Sequence, residues 1–379
     1  MNVQQDCGVP SCAHDEGIDS LIRSIFRFAI VLASLVSITA QDAAAADPTP
    51  AKKLFGSVTL PSKGNAQSLG FYAKGCLAGG IAIPVDGPAW QVLHLSRNRR
   101  WGNPEMIALL ERLSREASAK DGWPGLLVGD ISQPRGGPML SGHASHQIGL
   151  DADIWLTPMP DRKLSYDERE FFPENSMLRK GTLYVDPNKW TKAHARLIMR
   201  AASYPNVERV FVHPGIKKKL CDTWQGDRSL LSKVRPIYGH HYHFHIRMKC
   251  PPGSAGCEDQ VDPPNDSGCG KPLAEWFDKL RPRPVAKPKK PVKPTKPTYL
   301  TLNNLPKACA VVLDAKSVPS AQMAEFGRSG DVAVNAAAFA GDVPATKSVD
   351  AIIAATETED MALVPQGHIP IPLPRPLQP

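Results

Sequence analysis

Six of the eleven histidines fall in two short clusters, SGHASHQIGLDAD from Ser141 to Asp153 and GHHYHFH from Gly239 to His245. In the first, Leu150, Ala152, Ile154 and Leu156 alternate with Asp151, Asp153 and Trp155. On a strand one set faces the core and the other turns away, so Asp153 points to a polar face. His146 precedes that strand, and Gly149 permits a tight approach between them. This turn-then-strand places an imidazole and a carboxylate near one point. In the second cluster the same alternation puts His241, His243 and His245 on one strand face. Two imidazoles separated by one residue can both reach a single pocket.

A catalytic zinc takes three nitrogen or oxygen ligands and keeps a fourth position for water. Two histidines and one aspartate, His146, Asp153 and His245, match that count. Zinc acidifies water toward neutral pH, and a side chain must then take and return the proton. His243, two residues from His245, is placed for that role. Other chemistries fit less well. A structural zinc site is closed by four ligands, usually including cysteine, and neither cluster contains one. Ser141 or Ser145 as a nucleophile lacks the G-x-S-x-G context of a serine hydrolase.

Composition divides the chain. Arg23 and Arg27 precede an apolar run from Phe28 to Ala40, followed by the small residues Ala43 to Ala46. This is the layout of a cleavable secretory signal over residues 1–46 with an extended basic region. The apolar run is too short to span a bilayer comfortably, so no stable membrane insertion is expected after cleavage. Cys7 and Cys12 are lost with it, leaving Cys76, Cys221, Cys250, Cys257, Cys269 and Cys309, an even set that suits three disulfides in an oxidising compartment. Spacing alone supports only Cys250–Cys257. No CxxC pair occurs, which argues against a cysteine zinc site.

Residues 47–66 read as an extended lead-in, and the folded domain as residues 47–280. Asn103-Pro104 starts a helix, with Asn as N-cap and Pro in the first turn. A second helix covers Trp190 to Ala202, and strands are expected at Gly125–Ile131, Leu150–Leu156, Arg209–Val212 and His241–Met248. Their irregular alternation predicts an α+β fold with a small, mostly antiparallel sheet. Residues 281–299 repeat proline and lysine and form a stiff linker. Residues 300–315 are a short apolar segment whose Cys309 can tie it back to the body. Residues 316–379 are Ala-rich and then Pro-rich and read as a disordered tail. The net charge of +8 suits an anionic partner; for an exported protein that excludes nucleic acid.

The blocks SGHASHQIGLDADIW and GHHYHFHIR resemble the two signature blocks of the penicillin-insensitive murein endopeptidases. This family is related to the D-Ala-D-Ala metallopeptidases, the lysostaphin type and the hedgehog signalling domain. The resemblance extends to SLGFYAKGCLAGG, WQVLHLSRNRRWGNPEMIALLERLS, GDISQPRGG and CEDQVDPPNDSGCG with WFDKL, covering roughly Ser68 to Lys279. It implies a periplasmic zinc enzyme that hydrolyses the D-alanyl–diaminopimelyl cross-links of peptidoglycan. No active-site serine is involved, hence the indifference to penicillin, which acylates serine. By the family's pattern His146, Asp153 and His245 are zinc ligands and His243 assists catalysis, while His143 and His240 line the site. The resemblance also implies the pairs Cys76–Cys309, Cys221–Cys269 and Cys250–Cys257. Some members hold a second metal near the residue matching His143. The stretch between Leu156 and Trp190 offers no convincing histidine or aspartate partner for it, so one Zn2+ per chain is expected. Arg135, in the glycine-rich loop before the first cluster, is the candidate for binding a substrate carboxylate, and Tyr238 and Trp155 for lining the cleft. The rival readings are a D,D-carboxypeptidase or dipeptidase of the same superfamily and a non-catalytic zinc-containing wall-binding module.

Overall fold

A computed structural model describes residues 49–281 and 299–327. The segment read as a secretory signal, with Cys7 and Cys12, residues 282–298 of the expected linker and residues 328–379 of the expected tail lie outside the described residues. Among the described residues no helix is long and apolar enough to cross a membrane.

The elements are, in order, α1 (Ala51–Gly56), β1 (Gln67–Phe71), β2 (Lys74–Ala78), β3 (Ile81–Ala82), β4 (Asp86–Gly87), β5 (Trp90–Val92), β6 (Trp101–Gly102), α2 (Pro104–Glu116), β7 (Leu126–Val128), β8 (Asp151–Trp155), α3 (Tyr166–Glu170), α4 (Lys192–Ser203), β9 (Val207–Val212), α5 (Pro214–Thr223), β10 (Val234–Pro236), β11 (His243–Met248), α6 (Lys271–Leu280) and α7 (Ala308–Asp314). Seven strands form the main sheet in the order β10-β9-β11-β8-β7-β5-β4, and β1-β2 and β3-β6 form two small antiparallel pairs. In the main sheet β10-β9 and β5-β7 are parallel and the other pairings antiparallel. The fold is therefore α+β with a mostly antiparallel sheet, as the alternation of elements predicts.

Local chemistry fixes the flanking helices. The Asn103 side chain accepts the Glu105 backbone N–H at 3.1 Å, and Pro104 opens α2. Met106, Ile107, Leu110 and Leu113 then fall on one face and are buried. At α4 the His194 ring accepts the Thr191 N–H at 3.1 Å and sits 3.0 Å from the Leu156 carbonyl beyond β8. Leu197, Ile198, Ala201 and Ala202 continue the same buried face of that helix. The lead-in departs from expectation. Residues 51–56 are helical because Ala51 and Phe55, one turn apart, both have apolar surface to cover.

At the centre of the sheet, register does the positioning. Antiparallel pairing of β11 with β8 sets His243 opposite Trp155, His245 opposite Asp153 and Arg247 opposite Asp151. Directly opposed residues bring their Cβ atoms within about 5 Å. The alternate residues Phe244, Ile246, Ala152 and Ile154 belong to the hydrophobic core. Both strands are buried along their whole length, because the loop before β8 covers the polar face. The strand reading that included His241 is corrected. The strand begins at His243, and the His241 carbonyl instead accepts the Met177 N–H of a neighbouring loop.

A second, smaller core joins the ends of the described chain. Ala51, Phe55, Leu69, Leu305 and Val312 pack around the Cys76–Cys309 disulfide, which links residues 233 apart. Cys221–Cys269 and Cys250–Cys257 are also formed. The segment assigned to the tail from residue 316 is partly packed onto the body. Ser317 bridges Ser62, the Phe326 N–H donates to the Ala82 carbonyl, and Ala324 is buried. Replacing both Cys76 and Cys309 by serine is expected to cost about 3–5 kcal/mol, the entropy of closing so long a loop. Denaturant titration of the double variant against the wild type, both without reductant, measures it. An unchanged midpoint would mean that the apolar cluster alone holds the strap.

Candidate metal centre

Asp153, on β8, is the hub of the site. Its Oδ1 lies 3.3 Å from His245 Nδ1, 3.5 Å from His146 Nε2 and 3.8 Å from His243 Nε2. Its Oδ2 lies 3.5 Å from His143 Nδ1. His240 joins through a ring centroid 4.8 Å from that of His243. The ligand atoms of His143, His146 and Asp153 fall within 4.8 Å of one another, as do those of Asp153, His240 and His245. The structure thus brings together His143, His146, Asp153, His240, His243 and His245. Arg135 is not among them. Its guanidinium donates to the carbonyls of Val312 (2.6 Å) and Leu313 at the end of α7, to the Leu60 carbonyl (3.3 Å) and to the Ser317 hydroxyl (2.9 Å). The substrate-carboxylate assignment for Arg135 is therefore corrected to a structural one. The residue satisfies free carbonyls at a helix C-terminus, and nothing in its contacts directs it to the histidines.

The outer contacts decide which nitrogen faces the centre. His146 Nδ1 is 2.7 Å from the Ile131 carbonyl, which only accepts, so this nitrogen carries the proton and, in the neutral ring, Nε2 presents a lone pair. His245 Nε2 is 2.8 Å from Asp151 Oδ1, so its proton lies there and Nδ1 presents the lone pair. The two bare nitrogens face each other at 3.2 Å. Asp153 Oδ1, fully buried beside them, accepts no hydrogen bond. Three acceptors converging out of water cost free energy unless a cation sits among them. Two imidazole nitrogens and a carboxylate oxygen are a donor set suited to a divalent metal ion, and the residues present fit one.

Backbone strain marks the same place. His146 and His240 adopt left-handed φ values of 66° and 50°, a conformation that costs a non-glycine residue. The His146 backbone is held there by its N–H, which donates to Asp151 Oδ2 at 3.0 Å. Gly149, φ 72°, is required as expected, because a Cβ there would come within 2.8 Å of the Asn103 nitrogen and of a Leu77 methyl.

Electrostatics follow from burial and partners. Burial pushes the Asp153 carboxyl up, but the imidazoles of His146, His243 and His143 outweigh it and hold it well below its usual range. Asp151 is likewise depressed against its burial, by Arg247 and His245. Burial pushes His243 down to about 3, against the raising effect of Asp153. That imidazole is neutral at ordinary pH, stacked on Trp155 with ring centroids 5.5 Å apart. Tyr238 is exposed at the rim, where its carbonyl lies 3.0 Å from His240 Nδ1.

Three residues not singled out as candidates from sequence also shape the site. Asp151 receives the His245 N–H, the His146 backbone N–H and Arg247 Nε at 2.8 Å. Arg247 is held in turn over the Tyr72 ring at 4.1 Å and by Gln260 at 2.7 Å. Asp130, buried on the loop after β7, accepts from His143 Nε2 at 2.9 Å and from Arg99 at 2.8 Å. Period-two alternation already placed Asp151 on the face of Asp153, and it places Arg247 on that of His245. Nothing in spacing points to Asp130.

A family profile described as penicillin-insensitive murein endopeptidase matches residues 68–314, reaching through Cys309 and α7. A protein of Haemophilus influenzae with that name is 46% identical over 235 residues, covering 61% of this chain and 80% of its own length. Its namesake from Klebsiella pneumoniae is 37% identical over 284 residues, covering 75% and 97%. A Salmonella newport namesake is 37% identical over 257 residues, covering 68% and 89%. With the profile spanning the metal centre and both histidine clusters, the chain belongs to the penicillin-insensitive murein endopeptidase family.

Proposed function

We propose that this peptidase hydrolyses the D-alanyl–meso-diaminopimelyl cross-links of peptidoglycan in the periplasm, with one zinc ion held by His146 Nε2, His245 Nδ1 and Asp153 Oδ1. The observation that carries the metal is the buried Asp153 Oδ1, which no donor reaches and which two bare imidazole nitrogens flank. The substrate follows from the name its relatives share, and the compartment from the signal-like segment at residues 1–46. When bound, zinc acidifies water and polarises a carbonyl oxygen.

The chain's own residues supply the rest. Asp151 fixes the tautomer and orientation of His245 and, through the His146 N–H, the strained backbone that aims the other imidazole. Asp153 remains ionised and balances the charge of a cation. His243 is neutral and presents Nε2 toward the centre, so it accepts a proton there from the attacking water and returns it to the leaving amine. Trp155 and Tyr242, whose ring centroids lie 5.5 and 4.5 Å from that of His243, fix the ring plane. No serine takes part, which accounts for indifference to penicillin.

Incubating the purified protein with cross-linked muropeptide dimers and benzylpenicillin, with zinc chelated and restored in parallel, tests the reading by mass spectrometry. Conversion of dimers to monomers should ignore penicillin, stop with chelator and return with zinc. Release of a terminal D-alanine would move the protein to the D,D-carboxypeptidases, and zinc binding without cleavage would leave a wall-binding module. His243→Ala should lower kcat by on the order of 10²–10⁴-fold while retaining one equivalent of zinc; metal loss in that variant would make it a ligand instead. Asp151→Asn, measured by competition with a chromogenic chelator, should weaken zinc binding by about 10–100-fold.

A further inference from the structure

We infer that Arg97 is the subsite for the carboxylate on the amine side of the scissile bond, an inference that rests on the cross-link reading above. Arg97 closes a single 3₁₀ turn, Leu95–Arg97, between two residues in left-handed conformation, His94 and Asn98, each at φ 51°. Neither is glycine, so both positions are strained, and both are pinned. His94 Nδ1 is 2.9 Å from the Glu170 carbonyl. The Asn98 amide donates to the Thr59 carbonyl at 3.0 Å and accepts the Trp101 indole N–H at 2.8 Å. A turn held in this way presents its side chains at fixed positions.

What it presents, with Glu170 held on Ser96 of the same turn, is a guanidinium that shares its nearest carboxylate with a second one. Arg97 Nη1, Arg99 Nη1 and His143 Nε2 all converge on Asp130 Oδ2, at 3.3, 2.8 and 2.9 Å. Two guanidinium groups share one carboxylate. Arg99 is nearly enclosed and commits Nη2 to the Ser141 carbonyl at 3.1 Å. The Arg97 side chain is 40% exposed, and Asp130 is its sole hydrogen-bonding partner among the described residues. One imidazole separates this group from the centre, since His143 reaches Asp130 with Nε2 and lies 3.5 Å from Asp153 Oδ2 with Nδ1.

The substrate has a group to match. In a D-alanyl–diaminopimelyl bond the amide nitrogen is attached to a carbon that also bears a carboxylate. That carboxylate carbon lies about 3–3.7 Å from the scissile carbonyl carbon by standard bond lengths. A carbonyl held at Asp153 and the histidines therefore keeps the anion close to the centre, and on its His143 side the anion meets the Asp130–Arg97 group. A planar guanidinium with free donors recognises a carboxylate by paired hydrogen bonds. Asp130, already neutralised by Arg99 and the His143 N–H, positions Arg97 without cancelling it.

The test compares two cross-linked dimers that differ only in this group, free carboxylate or carboxamide. Binding is measured by calorimetry to the zinc-loaded His243→Ala protein, and cleavage with the zinc-loaded wild type. Both readouts should favour the carboxylate by about 10–100-fold, the range for a charge-assisted pair. Arg97→Gln should erase the preference through KM, leaving the carboxamide substrate and the zinc content unchanged. Arg97→Lys should keep a reduced preference, which also guards against misfolding of the glutamine variant. Equal handling of the two dimers by wild type, or an equal loss on both in Arg97→Gln, overturns the subsite. Cleavage without a carboxylate preference removes the subsite and leaves the hydrolytic reading; carboxylate-dependent binding without cleavage does the reverse.

Discussion

The buried carboxylate of Asp151 is the constraint on which the centre depends. Its two oxygens receive the imidazole of His245, the guanidinium of Arg247 and the backbone N–H of His146. One residue therefore aims a side chain on β11 and a strained loop that would otherwise relax from its left-handed conformation. Burying an ion this deeply is tolerated only because its partners nearly saturate it. Removing the charge would leave Arg247 unpaired between Tyr72 and Phe211, so damage at Asp151 would spread in both directions along the sheet.

A second constraint acts from outside the sheet. The loop between β7 and β8 carries His143 and His146, yet it has little regular structure of its own. Arg135 fastens it to the end of α7, Gln133 ties its own turn through the carbonyls of Gly136 and Pro138, and Phe55 of α1 closes against Gly137, where a Cβ would meet the ring at 2.2 Å. The small core around Cys76–Cys309 thus supports the loop that carries His143 and His146. The family match likewise continues to residue 314, well past His245.

Much of the centre was legible in the sequence because strands obey a strict period of two. Alternation of Leu150 to Leu156 and of His243 to His245 was enough to orient Asp153 and both histidines, and the opposed register of β8 and β11 then brought them together. Where side chains act through loops the sequence was mute. Arg135 sits among glycines just before the first cluster and reads as a ligand for substrate, but its partners lie far along the chain, at Val312 and Ser317. Asp130 and Arg97 carry no periodic signature, and only folding places them beside His143. The helix at Ala51–Gly56 escaped notice because six residues are too few to show a helical period. The composition of residues 316–327 gave no hint that Phe326 would find a place near Ala82.

The long covalent tie has a consequence for order of assembly. Strands β8 and β11 are separated by fewer than a hundred positions, whereas Cys76 must wait for Cys309, and Arg135 for Val312. Contacts that close late in the chain form late in folding, since each must overcome the entropy of the loop it encloses. In that order the sheet can form while the histidine loop still lacks its fastening. A hydrolase built this way has its histidine loop fastened only once the segment from Cys309 to Leu313 is in place.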